Sequence, residues 1–265
     1  MIIPIGTSRI HESLIYFPTN SVAPLGCGYF HSTGQVLDLL RILVGECDIN
    51  SSESRWFFRK DQTTGNQFDH NLWNENIKHS LSRLRDIWYQ STALIIEITS
   101  PRICKWNNLH INTNPNSDRQ ATYEEVWKIG YYNLYEKEMK VETYNESVEE
   151  QMHNIGRIMD IVSDHGKKTV FLGHLVDPLN PHPARKKNNS CLKKAFDGAI
   201  QSRERGDFFW YECDHLVKQF GFRILPDGKT DIHHLPWQAL PLLAKDLFMI
   251  LESKSLTPSV KHLFE

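Results

Sequence analysis

Short apolar runs alternate along the chain with stretches in which apolar residues recur every three or four positions. The two periods predict strands and helices in turn. Ile2–Ile5 reads as a first strand stopped at Gly6, and Ser8 opens a short helix with a residue type suited to its start. Ser21–Leu25 reads as a second short strand that runs into Gly26-Cys27-Gly28. Ser32 or Thr33 then caps a helix through Val44 that stacks Val36, Leu39, Leu40 and Leu43 on one face, with Gly45 placed to end it. Asn76–Gln90 carries Ile77, Leu81, Leu84 and Trp88 at helical spacing. Thr92–Ile98 is apolar almost throughout, the pattern of a parallel strand covered on both faces.

The second half repeats the alternation. Residues 103–121 are polar and Asn-rich and predict a loop or short excursion, and Tyr123–Tyr135 predicts an aromatic helix. Ser147–Ser163 is amphipathic, with Val148, Met152, Ile155, Met159 and Val162 in one stripe and Gly166 beyond it. Thr169–Leu172 is a strand that stops at Gly173-His174. A loop with Pro178, Pro181 and Pro183 leads through the basic Arg185-Lys186-Lys187 to a helix from about Ser190. Phe208–Tyr211 predicts a short strand, Asp214–Phe220 a helical turn or two, and the last helix runs through Leu251 with Leu240, Leu243, Leu247 and Ile250 on its face. Residues 46–74 lack a period but hold Trp56, Phe57, Phe58, Phe68 and Trp73, so they predict a structured insertion rather than a solvated linker. Strands separated by helices imply right-handed crossovers. The predicted fold is α/β: one three-layer α/β/α domain over 1–265, with a mostly parallel, flavodoxin-like sheet.

Composition narrows the function classes. A chain of 265 residues is long enough to bury a substantial core. A formal net charge of −2 lacks the basic footprint of a nucleic-acid binder. No window approaches the ~18 consecutive apolar residues of a membrane span, and Met1-Ile-Ile-Pro-Ile-Gly-Thr-Ser lacks the charged start of a secretory signal. A cytoplasmic protein is expected. The five cysteines are dispersed with no CxxC pair, so each reads as a small buried hydrophobe. The 13 histidines form no HExxH and no His-x-His, so no metal site is expected.

Ligands of open parallel sheets bind at the carboxyl ends of the strands, so the residues just after each apolar run carry the chemistry. They are Gly6-Thr7-Ser8, then Gly26-Cys27-Gly28 with His31, then Thr99-Ser100 with Arg102, then Gly173-His174, while Asp231-Ile232-His233-His234 precedes the last helix. A serine at a strand-to-helix junction exposes its hydroxyl beside free backbone N–H groups. A histidine three residues after an aspartate allows that carboxylate to orient the ring toward such a serine. His233 competes with His234 for this task, and the spacing favours His234.

This arrangement resembles the SGNH (GDSL-like) hydrolase superfamily. Gly6-Thr7-Ser8 looks like its first block with Thr in place of the usual Asp, Gly26 or Gly28 like its second-block glycine, and Asp231-x-x-His234 like its last block. The run Lys187-Asn188-Asn189-Ser190-Cys191-Leu192-Lys193-Lys194 and the stretch Phe208–Glu212 are similar to the GSCFA branch. The resemblance implies Ser8 as nucleophile, His234 as general base and acid, and Asp231 as its orienting group. Gly26, Gly28, Ser100, Arg102, His31 and His174 are the candidates for oxyanion and substrate binding. The third-block Gly-x-Asn-Asp is absent, and Thr99-Ser100-Pro101-Arg102 stands in its place. The implied activity is that of an esterase or acyltransferase acting on O-acyl groups, first of all O-acetyl groups of a carbohydrate. No resident cofactor is implied; a transferase would take acetyl-coenzyme A as donor, and Arg185-Lys186-Lys187 could then meet a phosphate. The missing Asn motivates the alternative, a non-catalytic ligand-binding protein on the same fold.

Overall fold

The computed structural model describes residues 1–23, 30–49, 53, 57, 70–111, 142–201, 203 and 207–252, with backbone alone at 70–78 and 80. In chain order its first elements are β1 (Ile2–Ile5), α1 (Ser8–Ser13), α2 (Thr33–Val44), α3 (His70–Gln90), β2 (Ala93–Glu97), β3 (Arg102–Trp106), β4 (Leu109–Ile111) and β5 (Glu142–Asn145). There follow α4 (Val148–Asp164), β6 (Lys168–Leu172), α5 (Pro183–Ile200), β7 (Phe208–Tyr211), α6 (Asp214–Phe220), β8 (Arg223–Ile224), β9 (Thr230–Asp231) and α7 (Leu240–Glu252).

The main sheet has the order β1-β2-β6-β7 and every pair in it is parallel. Side chains of successive strand residues point to opposite faces, and here both faces are covered. Ile3, Ile5, Leu94, Ile96, Phe171, Phe208 and Trp210 join a core with residues of α2, α4 and α5. Ile2, Ala93, Ile95, Val170, Leu172, Phe209 and Tyr211 join a second core with α1, α6 and α7. The result is an α/β fold of three layers, and β2 is buried at all five positions, as its unbroken apolar pattern predicts. Among the described residues no helix is long and apolar enough to cross a membrane.

Local chemistry explains the boundaries. Ser32 caps α2 by accepting the Gln35 N–H, and Gly45 ends it in the left-handed region at φ 84°. Ser147 and Glu150 form a reciprocal capping box at the start of α4.

Three predictions need correction. The strand expected at 21–25 is a single parallel bridge between Val22 and Ile2 within the described residues, on the edge of β1 away from β2. Residues 103–111 are no loop. Asn107 and Asn108 both take positive φ (49° and 66°), which makes a tight two-residue hairpin between β3 and β4. β5 completes a small antiparallel sheet on the other side of β3. The asparagines that suggested a loop are the turn itself. Third, α5 begins at Pro183 and not near Ser190. Pro183 sits in its first turn, where a missing N–H is harmless; Lys186 and Lys187 are exposed on the helix, whereas Arg185 is buried. In the expected insertion, Phe57 is buried against Phe30 with ring centroids 5.6 Å apart. Trp56, Phe58, Phe68, the side chain of Trp73 and the helix expected at 123–135 lie outside the described residues.

Candidate active site

Ser8 is the first residue of α1, and the residue that precedes it, Thr7, is extended and makes no side-chain cap. The Ser8 hydroxyl is not spent on the helix end either: Oγ lies 2.8 Å from Nε2 of His234. The other ring nitrogen, Nδ1, lies 2.6 Å from Oδ2 of Asp231. Asp231 closes the β8–β9 hairpin and His234 follows it after one turn, so a three-residue spacing brings carboxylate and ring together. The second oxygen, Oδ1, accepts the His233 N–H at 2.9 Å. Burial pushes the Asp231 carboxyl up, but the His233 N–H and the His234 ring outweigh it and hold the group below its ordinary range. An ionised Asp231 places the ring proton on Nδ1, which leaves Nε2 as the acceptor for the Ser8 O–H.

Three further side chains hold these groups in place. Glu97, the last residue of β2, is 3% exposed. Its Oε2 accepts the Thr7 N–H at 2.8 Å and the Thr7 O–H at 2.5 Å, and its Oε1 lies 2.6 Å from Nε of Arg9. One buried carboxylate therefore clamps both chain neighbours of Ser8. A Cβ on Gly6 would come within 2.6 Å of the Glu97 Cβ, so only glycine lets β1 approach this closely. On the histidine side, Arg223 donates its backbone N–H to the His234 carbonyl at 3.0 Å. Its guanidinium reaches Glu12 of α1 at 2.6 and 3.1 Å and the Leu235 carbonyl at 3.1 Å, which ties the His234 loop to the helix of Ser8. Arg185, buried at 7% exposure, donates to the Ile232 carbonyl and to the His233 ring. The His233 ring is the acceptor there, and burial with Arg185 beside it lowers its pKa. His233 thus faces Arg185 while its neighbour faces Ser8.

The remaining candidates divide. The N–H groups of Thr99 and Ser100 both donate to the His31 carbonyl, at 2.8 and 2.9 Å, and the His31 ring contacts the Thr99 hydroxyl at 3.1 Å. Ser100 Oγ accepts the Arg102 N–H. Arg102 itself is exposed at the start of β3. His174 follows β6 and its backbone is gripped on both sides by the Asn189 amide, with the two hydrogen bonds each 2.7 Å. Burial, with Arg9 and Arg185 nearby, lowers its pKa to about 3, so the ring is neutral. Gly26 and Gly28 lie outside the described residues.

Glu97 and Arg223 were not predicted as site residues, Asn189 entered only within the run similar to the GSCFA branch, and Arg185, expected only to meet a phosphate, holds the His233 loop instead. Only Glu97 carried a sequence signal, an acidic residue closing an otherwise apolar strand. No protein-family model matches the chain, and no match emerges among curated proteins or solved structures.

Proposed function

We propose that this protein is a serine-dependent esterase or acyltransferase that works through an acyl-serine intermediate, as the resemblance to SGNH hydrolases suggests. The observation that carries the proposal is the unbroken relay from Ser8 Oγ through His234 to Asp231, at 2.8 and 2.6 Å. His234 Nε2 takes the Ser8 proton as Oγ attacks the ester carbonyl. Asp231 stabilises the imidazolium that forms without itself taking the proton. The tetrahedral intermediate collapses when His234 returns the proton to the leaving alkoxide, and water or an acceptor hydroxyl, deprotonated by His234, then releases the acyl group. O-acetyl esters of carbohydrates are the substrate class the resemblance favours. A cytoplasmic setting belongs to the same proposal, and the free thiols of Cys47, Cys191 and Cys213 suit it.

Replacing Ser8 by Ala tests the proposal. Turnover of short-chain p-nitrophenyl esters should vanish while the melting temperature stays within a few degrees; retained turnover would overturn it. Acyl transfer from acetyl-coenzyme A, measured against hydrolysis, separates the two activities. One observation favours a second reading, a ligand-binding protein without catalysis. The N–H groups after β2, where an oxyanion donor is expected, are spent on the His31 carbonyl.

A further inference from the structure

Arg185 stands where three physical rules disfavour a cation. It is the third residue of α5, in the first turn, where the free N–H groups repel positive charge. It is buried, and a buried charge is costly without a counter-ion in contact. Arg9, the other buried arginine of the site, lies 2.6 Å from the Glu97 carboxylate. Arg185 has no such partner among the described residues, and its hydrogen bonds go to a carbonyl and a neutral ring. A residue that breaks local rules in this way points to function.

Its placement indicates which function. Nη1 donates to the Ile232 carbonyl and Nη2 to the His233 ring at 3.0 Å, and these are the two residues between Asp231 and His234. The fork therefore holds the whole Asp-x-x-His span. The His233 N–H meets Asp231 Oδ1 at 2.9 Å, while Oδ2 meets the His234 ring at 2.6 Å. With the His233 ring held by α5, the adjacent ring is the one that reaches Ser8 Oγ. The charged and titratable groups around the guanidinium are Arg9 of α1, His174 after β6, and Asp231, His233 and His234 of the loop. Arg9 repels it and Asp231 attracts it, so Asp231 is the anion that answers its charge from beyond ion-pair distance. A glutamine can also donate to a carbonyl and a ring. Only arginine adds the rigid fork and a permanent charge.

We propose that Arg185 is a positioning residue of the relay: it locks Ile232 and His233 so that His234 faces Ser8, and its charge keeps Asp231 an anion. The catalytic part rests on Ser8 being the nucleophile, but the lock can be read without catalysis. Histidine-selective nitrogen NMR on the Ser8→Ala protein follows the ring of His233 through pH. Adding Arg185→Met should raise its midpoint by about half a pH unit or more, because a positive neighbour is lost. Lys186→Met, which removes the exposed cation next in sequence, should leave the midpoint in place. An unchanged midpoint in Arg185→Met, or the same shift in both variants, would overturn the proposal. Labelling of Ser8 by a fluorophosphonate gives the second readout. Arg185→Met should label roughly tenfold more slowly, the equivalent of one hydrogen bond, and the pH below which labelling fades should move up. Arg185→Lys keeps the charge and loses the fork, so it should label slowly with that pH unmoved. Labelling as fast as in the natural protein in either variant would overturn the proposal. A shifted His233 midpoint with no labelling of the natural protein supports the lock and removes Ser8 as nucleophile. Should Arg185→Met fail to fold, Arg185→Gln takes its place in both measurements.

Discussion

At the scale of residues, the decisive feature is what each candidate side chain does with its hydrogen bonds. Ser8 begins a helix, where serine most often caps, yet its hydroxyl faces a histidine. His233 and His234 are adjacent in sequence and separated in task, because one carboxylate oxygen of Asp231 binds the backbone of the first and the other binds the ring of the second. Asp231→Asn keeps this shape but turns the His234 tautomer the wrong way. The expected loss is on the order of 10³–10⁴-fold in kcat, as in other triads, with KM little changed; steady-state kinetics on a p-nitrophenyl ester will check it. Because Asp231 sits below its ordinary carboxylate range, its contribution to stability is present above the unfolded pKa and fades only as the pH falls through the lower folded value.

At the scale of elements, the site depends on how strands end and helices begin. β1 and β2 pair in register from Ile2–Ala93 to Ile5–Ile96, so Glu97 of β2 comes out beside Gly6 and can clamp Thr7 and Arg9. Removal of one partner of a buried ion pair leaves the other unpaired in the interior, and Glu97→Ala should cost ~3–5 kcal/mol. Chemical denaturation measures that cost, and a loss under 1 kcal/mol would contradict the clamp. These pairings also explain which elements were legible beforehand. β1, β2, α2 and α4 follow from an unbroken apolar run or a capped stripe, both local signals. The β3–β4 hairpin was missed because two asparagines signal a turn and a loop alike, and the alternation of buried Ile103, Leu109 and Ile111 around them is short. The start of α5 was placed late because its first turns are polar, and what holds them is the contact of Arg185 with a loop 47 residues further on.

At the scale of the whole molecule, the docking of the β8–β9 hairpin on α1 through Arg223 and Glu12 brings serine and histidine together across 226 positions of sequence. The rule that ligands meet the carboxyl ends of parallel strands made Ser8 legible, and the Asp-x-x-His spacing ahead of the last helix, outside the main sheet, made Asp231 and His234 legible. Nothing comparable marked Glu97, Arg185 or Arg223 as partners, since their role exists only once three elements have packed. The half-buried, neutral His174 makes global stability depend on pH. Its folded pKa of about 3 lies below the ordinary 6.5, so below pH 6.5 the unfolded chain binds a proton that the folded chain refuses. Stability from this residue is complete above pH 6.5 and falls toward pH 3 by up to ~1.4 kcal/mol per pH unit. The stability gap between the natural protein and His174→Gln should therefore narrow between pH 7 and pH 4 in urea titrations; a constant gap would contradict a neutral His174.

The central claim, that His234 activates Ser8 as a nucleophile, is met most directly by covalent labelling. Incubation with a fluorophosphonate, followed by intact-protein and peptide mass spectrometry, should give one adduct, on Ser8. The adduct should be absent in Ser8→Ala and should form at least a hundredfold more slowly in His234→Gln. No adduct on Ser8, or one that forms equally fast without His234, would contradict the account.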